Sequence, residues 1–132
     1  MPEKKCHEDR VAELIVEAAF AVHTKLGPGL LESVYVAALV LELTRTGLKV
    51  EKEVPVRAIY DGVDLGLGYR CDLLVENAVV IEVKSVRGLE DVLMKQCLTY
   101  IKLLNRRLGL VVNFGGQLLK NNIRRVANGM PE

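Results

Sequence analysis

Two apolar runs, Tyr69-Arg-Cys-Asp-Leu-Leu-Val75 and Ala78-Val-Val-Ile-Glu-Val-Lys84, are joined by a turn too short for anything but a hairpin. Side chains alternate faces along a strand, so Val79, Ile81 and Val83 project one way, and Glu82 and Lys84 the other, roughly 7 Å apart. Strands this continuously apolar read as buried on both faces, where bare charge is costly. The chain must therefore cover this pair on both sides and still accommodate its charged residues.

Whether Asp72 shares the face of Glu82 depends on register, because a one-residue slip moves every side chain to the opposite face. A three-residue turn at Glu76-Asn77-Ala78 pairs Val75 with Val79 and sets Asp72 opposite Glu82. A two-residue turn at Glu76-Asn77 pairs Asp72 with Ile81 instead. The first register is preferred, because it gathers Cys71, Leu73, Val75, Val79, Ile81 and Val83 on one side, and Asn77 tolerates the left-handed conformation such a turn needs.

Two neighbouring carboxylates repel unless one is protonated or a cation lies between them. Carboxylate oxygens with a backbone carbonyl and waters suit Mg²⁺ or Mn²⁺, and a nearby ammonium can hold a water or offset phosphate charge. The chemistry implied is phosphodiester hydrolysis. The competing reading is an ordinary solvent-facing Glu-x-Lys on a strand, where cross-strand ion pairs contribute little.

With 132 residues the chain fits one domain with its own core, and residues 1–7 and 127–132 are expected to be flexible ends. No apolar run approaches the ~20 residues of a membrane span, and the polar start does not read as a signal peptide, so no membrane and a cytoplasmic location are expected. Cys6, Cys71 and Cys97 are odd in number and widely spaced, which indicates neither a disulfide framework nor a zinc site. Net charge is only +1, yet residues 92–131 carry seven basic side chains and no acidic one. Such a stretch follows a phosphate backbone or is simply a solvated surface.

Apolar spacing predicts helices over Glu8 to Leu26, Leu30 to Thr46 and Leu89 to Asn105. Alternation predicts strands over Leu48 to Ile59, the central pair, Leu108 to Phe114 and Ile123 to Val126. The order α-α-β-β-β-α-β-β points to an α/β or α+β fold, a mixed sheet flanked by helices, with a strand–helix–strand crossover joining parallel strands over 78–114.

Several other residues are candidates for a site. Glu32 opens the second helix in line with Val36, Leu39 and Leu43, so its carboxylate is expected to face inward, as a favourable charge at a helix start or as a third acidic group. Gln96 and Tyr100 lie one turn apart in line with Val92 and Leu103, which suggests a polar cavity. Tyr35 either orients Glu32 or packs. His23 reads more simply as a satisfied structural histidine than as a ligand. No Ser-His-Asp spacing and no phosphate-binding glycine loop is present.

Gly29-Leu-Leu-Glu32-Ser-Val-Tyr35, with the preceding Leu26-Gly-Pro, resembles the signature of the GxxExxY family. Asp72 with Glu82-x-Lys84 resembles the catalytic motif of the PD-(D/E)xK nuclease superfamily, and Gln96-x-x-x-Tyr100 is similar to the extra motif of its RecB-like branch. The resemblance spans roughly residues 8–126. It implies a restriction-endonuclease-like core with Mg²⁺ or Mn²⁺ bound by Asp72, Glu82, the Val83 backbone carbonyl and Glu32. It further implies that Lys84 positions or activates the attacking water and that Gln96, Tyr100 and Tyr35 shape the substrate end. Cys71 stands where the superfamily name has proline. The expected activity is metal-dependent hydrolysis of DNA; the alternatives are a non-catalytic nucleic-acid- or partner-binding module and a dimeric junction-resolvase-like endonuclease. So small a chain leaves little surface for DNA recognition, which makes a homodimer or a partner protein an expectation too.

Overall fold

The computed structural model describes residues 5–131. Helices α1 (His7–Leu26) and α2 (Glu32–Arg45) precede strands β1 (Val50–Tyr60), β2 (Val63–Val75) and β3 (Val79–Lys84). Helix α3 (Asp91–Leu103), β4 (Leu108–Asn113), a single 3-10 turn at Leu119–Asn121 and β5 (Ile123–Ala127) follow. The element order is the expected one. His7 and Ala127 belong to regular elements although both lay in stretches expected to be flexible; residues 1–4 and 132 lie outside the described residues.

The strands form one five-stranded sheet in sequence order, antiparallel throughout except for the parallel pair β3–β4 that α3 connects. Central strand β3 is almost wholly buried, and β4 is buried along its length. Each face carries its own core. On one, α1 and α2 deliver Ile15, Ala19, Leu39 and Leu43 onto Leu73, Val79, Ile81, Val83, Leu110 and Val112. On the other, α3 lays Cys97 and Ile101 over Val56, Leu74, Val80 and Val111. The alternation of apolar residues to opposite faces of β3 is what makes three layers necessary. No helix among the described residues is long and apolar enough to cross a membrane.

Three expectations from sequence need correction. Strand β2 begins at Val63 rather than near Tyr69, so β1 and β2 run on as a hairpin beyond the sheet; β2 pairs with β3 only from Leu73 to Val75. Cys71 does not share the face of Leu73 and Val75 but belongs to the core beneath α3. The change of face coincides with an irregularity on β1, where Glu53, between the pairs Lys52–Leu73 and Val54–Cys71, adopts a left-handed conformation (φ 51°). Finally, α3 buries Cys97 and Ile101, whereas Val92, Gln96 and Leu103 are exposed. Apolar residues occur on both sides of this helix, so periodicity alone left its rotation open.

The loops after β3 and β4 are bound together by Asn113, fully buried at the end of β4. Its side-chain oxygen accepts from the Val86 and Gly115 N–H groups, and its amide nitrogen donates to the Val86 carbonyl and to Asn122. Gly115 is packed so closely that a Cβ there would lie 2.3 Å from the Val86 carbonyl oxygen. Gly115→Ala must therefore push the two loops apart, and a loss of about 1–3 kcal/mol in urea denaturation is expected; an unchanged midpoint would show that this packing is not tight.

Candidate active site

The register of the β2–β3 hairpin is the one that sets Asp72 against Glu82: Val75 faces Val79 and Leu73 faces Ile81, with Glu76 and Asn77 both left-handed in the turn. Pairing ends at Leu73 because the backbone of β2 leaves β3 there. The Asp72 carboxylate takes over the vacated acceptor position, receiving the Val83 N–H at 2.7 Å. A strand terminus thus aims one carboxylate at the backbone of the strand that carries the other.

Glu82 is 3% exposed, and neither carboxylate oxygen has a hydrogen-bond partner among the described residues. The Cys71 thiol and the Asp72 carboxylate are close enough to influence its charge, but neither makes a well-formed bond to it. Burial, followed by the Asp72 charge, pushes the Glu82 carboxyl up to about 8. Asp72 is raised as well, chiefly by burial and against the pull of the Val83 N–H. A buried, unpartnered carboxylate beside a second one is a site that a cation would satisfy.

Lys84 lies at the partly exposed end of β3, two residues beyond Glu82. Glu32 approaches from the other side of the strand end. It is exposed, not inward-facing, and accepts the Ser85 N–H at 3.1 Å, while the Ser85 hydroxyl donates to the Leu30 carbonyl at 2.8 Å. Glu32 and Asp72 line one open depression of about 530 Å³, whose rim also holds Lys52 and Glu53. Among the described residues, no three His, Cys, Asp or Glu side chains come close enough together to hold a metal ion on their own.

Tyr35 offers no surface to a substrate. It is fully buried, stacks on Phe114 with ring centroids 4.5 Å apart, donates its hydroxyl to the Gly27 carbonyl at 2.5 Å and accepts the Leu30 N–H at 3.1 Å. It clamps the turn from which α2 and Glu32 start, so its part is to position. His23 bonds the Gly116 carbonyl at 3.0 Å and is structural. Gln96 is an exposed residue on the outer side of α3 rather than the wall of a cavity.

Tyr100 has a partner that the sequence did not reveal. It stacks on Tyr69 at 4.2 Å between ring centroids, both rings half-buried, and the Glu82 charge helps raise the pKa of each hydroxyl after burial. Tyr69 precedes Asp72 by three residues on a strand, a spacing that alone would place the two on opposite faces, and periodicity did not bring them together. Cys71 and Cys97 flank Glu82 from below, fully buried and with thiols raised by burial.

A family model described as the PD-(D/E)XK nuclease superfamily matches residues 9–126, nearly the whole chain. The chain belongs to that superfamily. Comparison with curated proteins and with solved structures found no match. The mixed sheet flanked by three helices is the restriction-endonuclease-like nuclease fold, in an α+β arrangement. Members of the superfamily are generally hydrolytic nucleases, typically dependent on divalent metals such as Mg²⁺.

The raised carboxyl of Glu82 gives a stability signature. A group whose folded pKa lies above its unfolded value contributes stability at low pH that is lost as pH rises. Here the loss falls between the ordinary carboxyl range and about 8. Glu82→Gln should therefore be more stable than the parent at pH 8 by roughly 2–4 kcal/mol and nearly equal to it at pH 4.5, measured by urea denaturation without divalent metal. Parallel pH profiles for the two proteins would show that Glu82 is not charged against its surroundings.

Proposed function

We propose that this protein is a metal-dependent nuclease that hydrolyses DNA phosphodiester bonds. The observation that carries the reading is the Glu82 carboxylate, buried with both oxygens unpartnered beside Asp72 at the end of a central strand. Asp72, Glu82 and the backbone carbonyl of Val83 would hold Mg²⁺ or Mn²⁺. Mg²⁺ is often held by one or two carboxylates and completes its shell with water and substrate phosphate, so a cage of three acidic side chains is not required. Glu32, which lines the same depression as Asp72, would add a further acidic group to the site. When bound, the metal polarises the phosphate and lowers the pKa of its water.

The chain's own residues supply the rest. Asp72, fixed by the Val83 N–H through one carboxylate oxygen, would offer its other oxygen to the metal. Lys84, at the open end of β3, holds the attacking water or offsets the charge that develops on the phosphate. Tyr100 with Tyr69 would border the substrate end, and Gln96, exposed on α3, would reach substrate only where it extends over that helix. Lys95, Lys102 and Lys120 are exposed cations of the basic C-terminal third that can track a phosphate backbone. Two arginines of that stretch are committed elsewhere: Arg107 grips Glu8 at 2.7 and 2.8 Å, and Arg125 holds Asp9 at 2.5 Å. Each guanidinium holds its partner carboxyl below the usual range. The Gly29-x-x-Glu32-x-x-Tyr35 and Gln96-x-x-x-Tyr100 spacings support assignment to the GxxExxY family and the RecB-like branch.

Purified protein incubated with single-stranded, duplex and branched DNA in Mg²⁺ or Mn²⁺ is expected to cleave at least one of them. Asp72→Asn and Lys84→Ala should each lower the rate by about 100-fold or more. Cleavage unchanged in both variants points to a contaminant, and salt-dependent binding without cleavage points to a non-catalytic module. Independently of turnover, saturating Mg²⁺ should raise the stability of the parent protein by about 2–3 kcal/mol at 100 times its Kd, and leave Glu82→Gln nearly unmoved in a thermal-shift assay.

A further inference from the structure

Two open depressions meet at the start of α2. One, of about 530 Å³, is lined by Asp72, Glu32 and Ser33 among others; the second, of about 440 Å³, is lined by Leu30, Leu31, Glu32, Ser33 and Ser85. Glu32 and Ser33 belong to both, so a chain of nucleotides that runs from Asp72 past Glu32 enters the second. That depression has an apolar side. Leu30 is 40% exposed and Leu31 75%, the highest value for any large apolar side chain among the described residues.

Folding does not account for a leucine at position 31. It is the residue that caps the N-terminus of α2, with extended backbone (φ −67°, ψ 148°) and no side-chain hydrogen bond to the helix. Ser, Asn, Asp and Thr stabilise a helix from that position, and Leu is among the poorest choices. Nor is the loop free to swing. The Leu30 N–H donates to the Tyr35 hydroxyl at 3.1 Å, and the Leu30 carbonyl accepts the hydroxyl of Ser85, the residue after Lys84, at 2.8 Å. The chain thus fixes an apolar side chain in solvent one residue from Glu32, on a loop tied to the end of the strand that carries Glu82 and Lys84.

We propose that Leu31, with Leu30 beside it, receives the base of the nucleotide next to the phosphate held at Asp72 and Glu82, and that the substrate is single-stranded there. This deepens the reading of Asp72 and Glu82 as the site that DNA occupies, and rests on it. A duplex presents phosphates and sugars along its backbone and keeps its base faces stacked inside, so an exposed leucine gains little from it. An unpaired nucleotide presents a flat face that packs on side chains whatever its sequence. Leucine has no hydrogen-bonding group to read a base edge, so the contact selects an accessible base rather than a particular one.

Equilibrium binding by fluorescence anisotropy tests this without turnover. The full chain in Ca²⁺, which takes oxygen ligands as Mg²⁺ does, is titrated onto three labelled probes of about 20 nucleotides: a single strand, the duplex of the same sequence and an abasic strand. The parent protein should bind the single strand about tenfold tighter than either other probe. Leu31→Ser should lose about fivefold to tenfold on the single strand and nothing on the abasic strand, while Leu31→Met stays near the parent. Because serine caps α2 better than leucine, the melting temperature of Leu31→Ser should hold or rise, so its weaker binding is not a folding defect. Equal affinity of the parent for the single strand and either other probe, a Leu31→Ser variant that binds the single strand as the parent does, or an equal loss on the abasic strand would each overturn the proposal. Cleavage in Mg²⁺ separates the two levels. Base-dependent binding without cleavage removes the nuclease reading and leaves the Leu31 contact, cleavage with base-independent binding removes the contact alone, and no binding of any probe removes both.

Discussion

The hydrogen bond from the Val83 N–H to the Asp72 carboxylate is the joint on which the rest of this molecule turns. A strand that leaves a sheet abandons backbone donors, and a buried donor without a partner is destabilising by about 1–3 kcal/mol. By supplying a side-chain acceptor at that point, β2 separates from β3 without that penalty. The separation has two consequences. It opens a gap at the end of the central strands beside Glu82, and it frees β2 to continue into the hairpin that projects beyond the sheet.

Everything around the joint holds it in place. Asn113 secures the loop that follows Lys84 through both polar groups of Val86, and the Phe114 N–H bonds the Lys84 carbonyl at 2.8 Å. Tyr35, wedged against Phe114, holds the turn that starts α2, and Glu32 on that helix bonds the Ser85 N–H. Two helices and two loops thus converge on three residues, 83–85, none of which bears the least exposed charge. That charge is on Glu82, and the fold tolerates it because the two flanking cores are complete without it.

The hairpin register was legible because two independent signals agreed: apolar alternation on β3 and a turn residue, Asn77, suited to left-handed backbone. The positions of the helices and the parallel crossover followed from periodicity, and the cores used the predicted face of α1 and α2 though not of α3. What escaped the sequence were features set by backbone irregularity. Glu53 looks like any strand glutamate, yet it is left-handed opposite Asp72, at the point where β2 changes face so that Cys71 lies beneath α3 and Tyr69 stacks on Tyr100. The projecting part of β2 escaped because Gly66 and Gly68 interrupt its strand pattern. Gln96 and Tyr100 share a spacing but not an environment, because the rotation of α3 is decided by Cys97 and Ile101 fitting over Gly109, where any Cβ would strike the Cys97 sulfur.

The same irregularity links stability to chemistry. A glutamate at position 82 is the worst-placed charge in this fold by burial, and a neutral side chain of similar shape would relieve it. Its neighbours do not relieve it: among the described residues no lysine or arginine pairs with it, Asp72 disfavours its ionised form, and Cys71 and Lys84 favour that form too little to offset burial. A structural role would have been served by a partner. An arrangement that leaves the charge unpaired, and spends a second carboxylate to hold the strand open beside it, makes sense where the missing counter-charge comes from outside the chain.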